Sequence, residues 1–290
     1  MSTEAQFQAA MAVSGLAPPE TIYGDGQLRR FGVGGKSSWY VLHDDGIPAG
    51  SFGDWKTGHT ETWCAKSKAD MSDTERQATW ERIKATQRQR DAERDLIQAE
   101  AATRVLAIWT TAAPAIEHPY LTRKSIKAHG ARTDGHHLLI PMRDTAGKLW
   151  GLQTISPDGE KRFQPGARVR GCYCPIGAPA GRLIVCEGFA TGATLHATAG
   201  GAVAVAFSAG NLMAVALTLR EKYPDISITF AADDDWQTVG NPGLTAARAA
   251  ASAIGAKLAV PNFDGLVRGI KDTDFNDMAQ LIRAKETAAS

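Results

Sequence analysis

LIVCEG (183–188), AVAVAFS (202–208), ISITFAAD (226–233) and KLAVPN (257–262) decide the fold. Each is a short, nearly continuous apolar run without the polar alternation of a strand that has one wet face. Helical patterns at 190–199, 211–222 and 243–254 separate them. Strands apolar on both faces, alternating with helices, predict a parallel sheet covered on both sides. Acids stand where the strands end: Glu187 before Gly188, then Asp233 and Asp235 around Asp234, then Asp274 and Asp277 around Phe275-Asn276 beyond the fourth strand. Ligands of open α/β sheets bind at the carboxyl ends of strands.

Upstream, LLIPM (138–142), LWGLQTI (149–155) and a third short strand, joined by turns at Asp144–Gly147 and Pro157-Asp158-Gly159, predict a β meander. Ser72 and Glu75 form an S-x-x-E box, and a long charged helical pattern runs from there to about Ala112. Acids interspersed with Arg82, Lys84, Arg88, Arg90 and Arg94 favour a solvated linking helix over a nucleic-acid arm. Residues 1–20 predict a short helix stopped by Pro18-Pro19, and SSWYVLHDDGIPAGSFGDW (37–55) predicts hairpins of a small β module. Gly32–Ser37 imitates a phosphate loop, but Arg30 stands where its first glycine belongs and a strand follows instead of a helix, so a glycine turn is expected. The expected segments are 1–70 (β module), 71–115 (linking helix), 116–180 and 181–290.

The chain has 290 residues, 43% apolar and 22% charged, with a net charge of +1. This excludes a largely disordered chain and a globally basic nucleic-acid binder. Four scattered cysteines make neither a disulfide framework nor a zinc ribbon. No run approaches a membrane span and no secretory leader is legible, so a cytoplasmic protein without membrane contact is expected.

The acids point to a hard cation. Mg²⁺ or Mn²⁺ takes oxygen ligands and is held by a few carboxylates together with substrate phosphates. In an extended D-x-D the outer side chains share a face, so Asp233 and Asp235, with Glu187, are the expected ligands and Asp234 points away. Gly188 would let substrate approach the backbone closely. Lys161, Arg162, Arg168 and Arg170 fall within ten residues and would hold phosphates, with Phe163 or Tyr173 stacking a base. His196 is expected to pack, Asn211 to cap the helix it opens, and Asn276 to assist metal or nucleotide binding.

VCEGFATG (185–192) and FAADDDWQTVGNPG (230–243) resemble the Glu-Gly and Asp-x-Asp motifs of the TOPRIM domain, shared by DnaG-type primases, topoisomerases, OLD-type nucleases and RecR-type proteins. DTDFNDM (272–278) resembles the further acidic motif of primase-type members. YLTRKSI (120–126) with residues 138–166, including the Pro141-x-x-Asp144-x-x-Gly147 turn, is similar to the N-terminal half of a primase catalytic core. Residues 119–285 together resemble plasmid-transfer and phage primases of the TraC type.

The resemblance implies an α/β fold. A C-terminal TOPRIM domain (Rossmann-like, parallel sheet with flanking helices) would follow a small α+β primase subdomain and an N-terminal β-rich module. It implies that Glu187 is the catalytic acid or a metal ligand, Asp233 and Asp235 are ligands, and Asp277 is an auxiliary acid, with Asp274 as a second candidate for that role. Lys161, Arg162 and Arg143 would handle template or nucleotide phosphates. The implied activity is a nucleotidyltransferase, a DNA-directed RNA polymerase making primers for a plasmid or phage. Its partners would be single-stranded DNA, nucleoside triphosphates and a replicative helicase. A nuclease using the same acids on water, and a non-catalytic binding module, are the alternatives.

Overall fold

The structure is a computed structural model and describes residues 2–32, 38–54, 59–66 and 71–289. The turn expected within Gly32–Ser37 falls, after Gly32, outside the described residues, as do Trp55 and the side chains of Arg82 and Arg90. The chain divides into two compact units, Met1–Ala92 and Glu93–Ser290.

The first unit opens with α1 (Thr3–Val13), shorter than expected. Gly15, at φ 84°, ends it before the two prolines are reached, because a left-handed residue after the last turn satisfies the final carbonyls. Strands β1 (Arg29–Phe31), β2 (Ser38–His43), β3 (Ala49–Asp54) and β4 (His59–Cys64) form an antiparallel sheet in that order. Phe7 and Met11 of the helix pack on Ile22, Tyr40, Leu42 and Phe52, with Phe7 edge-on to Phe52 at 5.4 Å. The long helix α2 (Asp73–Thr111) starts at the expected box: Ser72 N–H donates to Glu75 Oε2 at 2.8 Å, and Glu75 N–H donates back to Ser72 Oγ at 3.3 Å. The division between units falls within this helix.

In the second unit, β5 (Ala113–Pro114), α3 (Pro119–Lys124), β6 (Arg132–Thr133), β7 (Leu138–Arg143), β8 (Leu149–Ile155) and β9 (Lys161–Phe163) follow. The strands form one antiparallel sheet in chain order. Pro119 at the first helical position and His118 Nδ1, accepting from Tyr120 N–H at 3.2 Å, start α3.

A second sheet takes β10 (Cys174–Ile176), β11 (Arg182–Cys186), β12 (Ala202–Val205), β13 (Ser227–Ala231) and β14 (Lys257–Ala259), with α4 (Phe189–Ala199), α5 (Ala209–Lys222), α6 (Pro242–Ala253) and α7 (Phe275–Ala289) between and after them. Its order is β10-β12-β11-β13-β14. The last four are parallel as expected, whereas β10 pairs antiparallel with β12 at the edge. Strand β10, not expected from the sequence, is three residues long and shows no alternation that would mark it. Its Cys174 and the other three cysteines are unbridged thiols.

One core joins the two sheets, with Leu138, Ile140 and Met142 of β7 packed together with Cys174, Cys186, Phe189 and Val205. A Cβ on Gly192 would stand 2.6 Å from Val205 Cγ2, so only glycine lets α4 lie this close to the sheet. Among the described residues, no helix is long and apolar enough to cross a membrane.

Candidate active site

The parallel sheet changes direction between β11 and β13. From β11 the chain crosses to β12 on one side, then passes back to β13 on the other. Such a switch point leaves a crevice at the carboxyl ends of the two strands. Glu187 follows β11 immediately, Asp233 lies two residues beyond β13, and Cys186 and Ala231 are register partners.

Burial is the first cause that raises the Glu187 pKa; the charge of Asp235 adds to it. The Ala209 N–H at the start of α5 and the charge of Lys161 oppose the rise. Phe207, at φ 72°, turns the chain sharply between β12 and α5, and its N–H donates to the Glu187 carbonyl at 2.8 Å. Burial, and then the charges of Glu187, Asp274 and Asp235, push the Asp233 pKa up to about 8. Asp233 Oδ1 is buried and has no hydrogen-bond partner. An acceptor left unsatisfied among other acids is costly without a cation or proton.

Asp235 accepts from Gly243 N–H at 2.9 Å. A Cβ on Gly243 would stand 2.8 Å from that same carboxylate, so the glycine brings the first turn of α6 against it. Asp234 turns the other way, as the D-x-D spacing predicts: it meets Arg268 at 2.9 Å and accepts from Asn241 Nδ2 at 2.6 Å. Asp274 joins the cluster from a third chain segment. Thr191, on the first turn of α4, donates to its Oδ2 at 2.9 Å, and its Oδ1 caps α7 through Asn276 N–H and Asp277 N–H.

Asp277 is bonded to Lys124 of α3 at 2.9 Å and accepts from Thr273 N–H and, at 3.4 Å, from Asp274 N–H, contacts that tie α7 to α3. The acidic motif opens α7, which was not foreseen, and the cap geometry directs its first acid inward and its last toward α3. Asn276 is fully buried. Its amide donates to Lys124 O and Thr194 Oγ1, both at 2.8 Å, which removes it from contact with a nucleotide.

The basic residues separate as well. Lys161 and Phe163 share one face of β9, and Arg162 takes the other. Lys161 Nζ lies 4.0 Å from where a Gly188 Cβ would stand, and Phe163 meets Phe207 edge-on at 6.1 Å. Arg162 pairs with Glu160 at 2.8 Å. Arg143 donates to the Gly147 carbonyl at 2.8 Å, holding the turn. Arg168 lies over Trp150 at 5.0 Å, and Arg170 is exposed.

Tyr173 is buried, its phenol pushed up to about 12 by that burial, and offers no stacking face. Asn211 does not cap α5. Its amide donates to Cys172 O and Ala206 O, and its oxygen accepts from Gly171 N–H at 2.8 Å. His196 bonds the Gly201 carbonyl at 2.6 Å and packs on His129, as a packing residue does.

Among the described residues, no three acids, histidines or cysteines close into a ready metal cage. A Mg²⁺-type site needs less, since one or two carboxylates and substrate phosphates suffice. The arrangement of a half-buried glutamate after the first parallel strand, a D-x-D after the third with its middle acid turned away, and a capping acid beyond the fourth is the one the motifs required. The match of residues 182–283 to the Toprim domain covers all of them.

Residues 182–283 match the Toprim domain.

Over 287 residues the chain is 38% identical to a DNA primase TraC of Escherichia coli, an alignment covering 91% of this chain and 20% of that protein. A second E. coli DNA primase TraC is 40% identical over 249 residues, covering 79% of this chain and 23% of its own. The chain thus spans about a fifth of the length of these curated relatives. The primase fragment of the bacteriophage T7 primase-helicase superposes with a TM-score of 0.43 at 15% identity, over 60% of this chain and 74% of that one. The β-rich first unit and the antiparallel sheet of the second lie outside the Toprim match, whereas the first TraC alignment takes in most of the chain. Sequence reasoning weighed Asp274 only as a secondary acid. It missed Thr191 and the Ala209 N–H, because no motif spacing links them to the acids.

Proposed function

We propose that this chain is the primer-synthesising part of a DNA primase, a nucleotidyltransferase acting on single-stranded DNA template and nucleoside triphosphates. The observation that carries the reading is the unpartnered, buried Asp233 Oδ1 among Glu187, Asp235 and Asp274, beside Lys161. The identity to TraC primases supports the substrate class.

Glu187, Asp233 and Asp235, with Asp274, are the residues that would hold Mg²⁺ or Mn²⁺. The donor set is all oxygen, and the orphaned acceptor fits a hard cation. When bound, such a cation neutralises charge on the reacting phosphate and lowers the pKa of an attacking hydroxyl. The 3′-hydroxyl oxygen of one nucleotide forms a bond to the α-phosphorus of the next. The bond from that phosphorus to the bridging oxygen breaks, and pyrophosphate leaves. Glu187, its pKa raised by burial and by the charge of Asp235, would take the hydroxyl proton. Lys161 supplies positive charge beside Gly188, where the absent side chain leaves room for a phosphate. A cytoplasmic setting in replication or transfer of a mobile element, and a replicative helicase as partner, accompany the reading.

A gel assay tests it. The protein is incubated with single-stranded DNA, labelled ribonucleotides and Mg²⁺ or Mn²⁺, beside Asp233→Ala/Asp235→Ala. Short labelled products, lost in the double variant, are expected. Metal-dependent shortening of end-labelled DNA without new products would replace the reading by a nuclease.

A further inference from the structure

We infer that Arg268 is a positioning residue that fixes two of the three chain segments of the acidic cluster, those of Asp233–Asp235 and Asp274, against each other and thereby sets its affinity for a divalent cation. The inference rests on the metal-holding reading of that cluster. Arg268 lies in the connection between β14 and α7, away from every motif read in the sequence.

All three of its nitrogens are used. Nη1 pairs with Asp234 Oδ2 at 2.9 Å, Nη2 donates to Asp234 O at 2.9 Å, and Nε donates to Asp272 O at 2.8 Å. The guanidinium lies 4.1 Å from the centre of the buried Phe263 ring and 5.0 Å from that of Trp236. Only 19% of its side chain and 18% of that of Asp234 are exposed, so the pair is held rather than solvated.

These contacts act on the acids in two ways. Asp234 N–H donates to Thr273 O at 2.8 Å, and Arg268 bridges the same two segments from the other side. The peptide between Asp233 and Asp235 is therefore tied to the residues just before Asp274. Arg268 also neutralises Asp234 and keeps it on the far face, so the middle acid adds no repulsion to its neighbours. Lysine has one charged nitrogen and cannot reproduce a fork that bonds a carboxylate and two carbonyls. Groups that orient a metal ligand from behind typically cost 10–100-fold in metal affinity or activity when removed.

The test uses the full chain. Mn²⁺ binding is measured by titration calorimetry for wild type, Arg268→Gln and Arg268→Lys, with melting temperatures taken in parallel. Arg220→Gln is the control. Arg220 likewise bonds several carbonyls, of Tyr223, Pro224, Ile226 and Ile254, but at the opposite end of β13.

Arg268→Gln is expected to raise the Mn²⁺ Kd about tenfold or more. Arg268→Lys should raise it severalfold, and primer synthesis in both should recover as Mg²⁺ is raised. Arg220→Gln should lower the melting temperature and leave the Kd unchanged. A folded Arg268→Gln with the wild-type Kd overturns the inference while leaving the reading of the site intact. If Arg268→Gln does not fold, an unchanged Kd in Arg268→Lys overturns it equally. A wild-type chain that binds no Mn²⁺ overturns the reading of the site, and this inference with it.

Discussion

Thr191 donates its hydroxyl to Asp274 Oδ2 at 2.9 Å, joining residues 83 positions apart. Thr191 is fully buried on the first turn of α4, directly after Glu187-Gly188, so one hydroxyl fixes the third acidic segment to the first. Hydrogen bonds to a charged acceptor contribute about 1.5–3 kcal/mol. Thr191→Val, close in shape but without the donor, is expected to destabilise the chain by about 2 kcal/mol. It should reduce primer synthesis more than about tenfold, because it also releases Asp274. Urea unfolding and the gel assay, run together, check both; full activity in a destabilised Thr191→Val would separate Asp274 from catalysis.

The protonation of Asp233 makes stability depend on pH in a definite sense. Its pKa is raised from 3.8 to about 8 in the folded chain. Between those values the folded state holds a proton that the unfolded state has lost. Stability is therefore greatest at the acid end of this window and falls as pH rises toward 8. In metal-free protein, the urea midpoint should drop from pH 5 to pH 8, and Asp233→Asn should flatten that drop. Mn²⁺ binding at pH 6.5 should release a proton, seen as a buffer-dependent heat in calorimetry. A flat midpoint in the wild type would contradict the burial of this carboxyl among its neighbours.

Lys161 is the cation whose charge opposes the raised pKa of both Glu187 and Asp233. Lys161→Gln should raise the KM for nucleotide several-fold and reduce the salt dependence of template binding by about one counterion. Arg162→Gln, on the opposite face of β9 and paired with Glu160, should do neither by more than about twofold. Equal effects from the two would show that the strand presents both faces to nucleic acid.

Asn276 gives the opposite kind of outcome. Its buried amide bonds Lys124 O and Thr194 Oγ1, and its oxygen accepts from Gln280 at 2.8 Å. Asn276→Ala leaves buried partners unsatisfied, a loss of about 2–3 kcal/mol. Thermal melting should show it. KM for nucleotide and template affinity, measured well below the melting temperature, should stay unchanged; a raised KM would return this residue to the site.

Much of the fold was legible because it is written locally. Continuous apolar runs mark strands buried on both faces, and the helices between them appear within a few residues of where period and caps place them. The Ser72–Glu75 box, the meander turns and the outward turn of Asp234 follow from short-range geometry in the same way. What escaped depends on distant partners. Strand β10 is three residues long and is a strand because β12 offers an edge. Helix α7 was hidden by the acids that cap it.

Glu187, Asp233 and Asp235 could be proposed from the sequence because their positions put them at strand ends. Which partners Asp274 and Asp277 take could not. The two are three residues apart, and the choice was made by Thr191 on one side and Lys124 on the other, at separations of 83 and 153 residues. The same holds for Lys161 against Arg162, sorted by the face of β9 that turns toward Gly188, and for Arg268, whose partners come from two segments. Residue type and local period determine which chemistry a strand end can offer. Only the packing of remote segments decides which side chains meet there, because hydrogen bonds and ion pairs act over a few ångströms regardless of how far apart their partners lie along the chain.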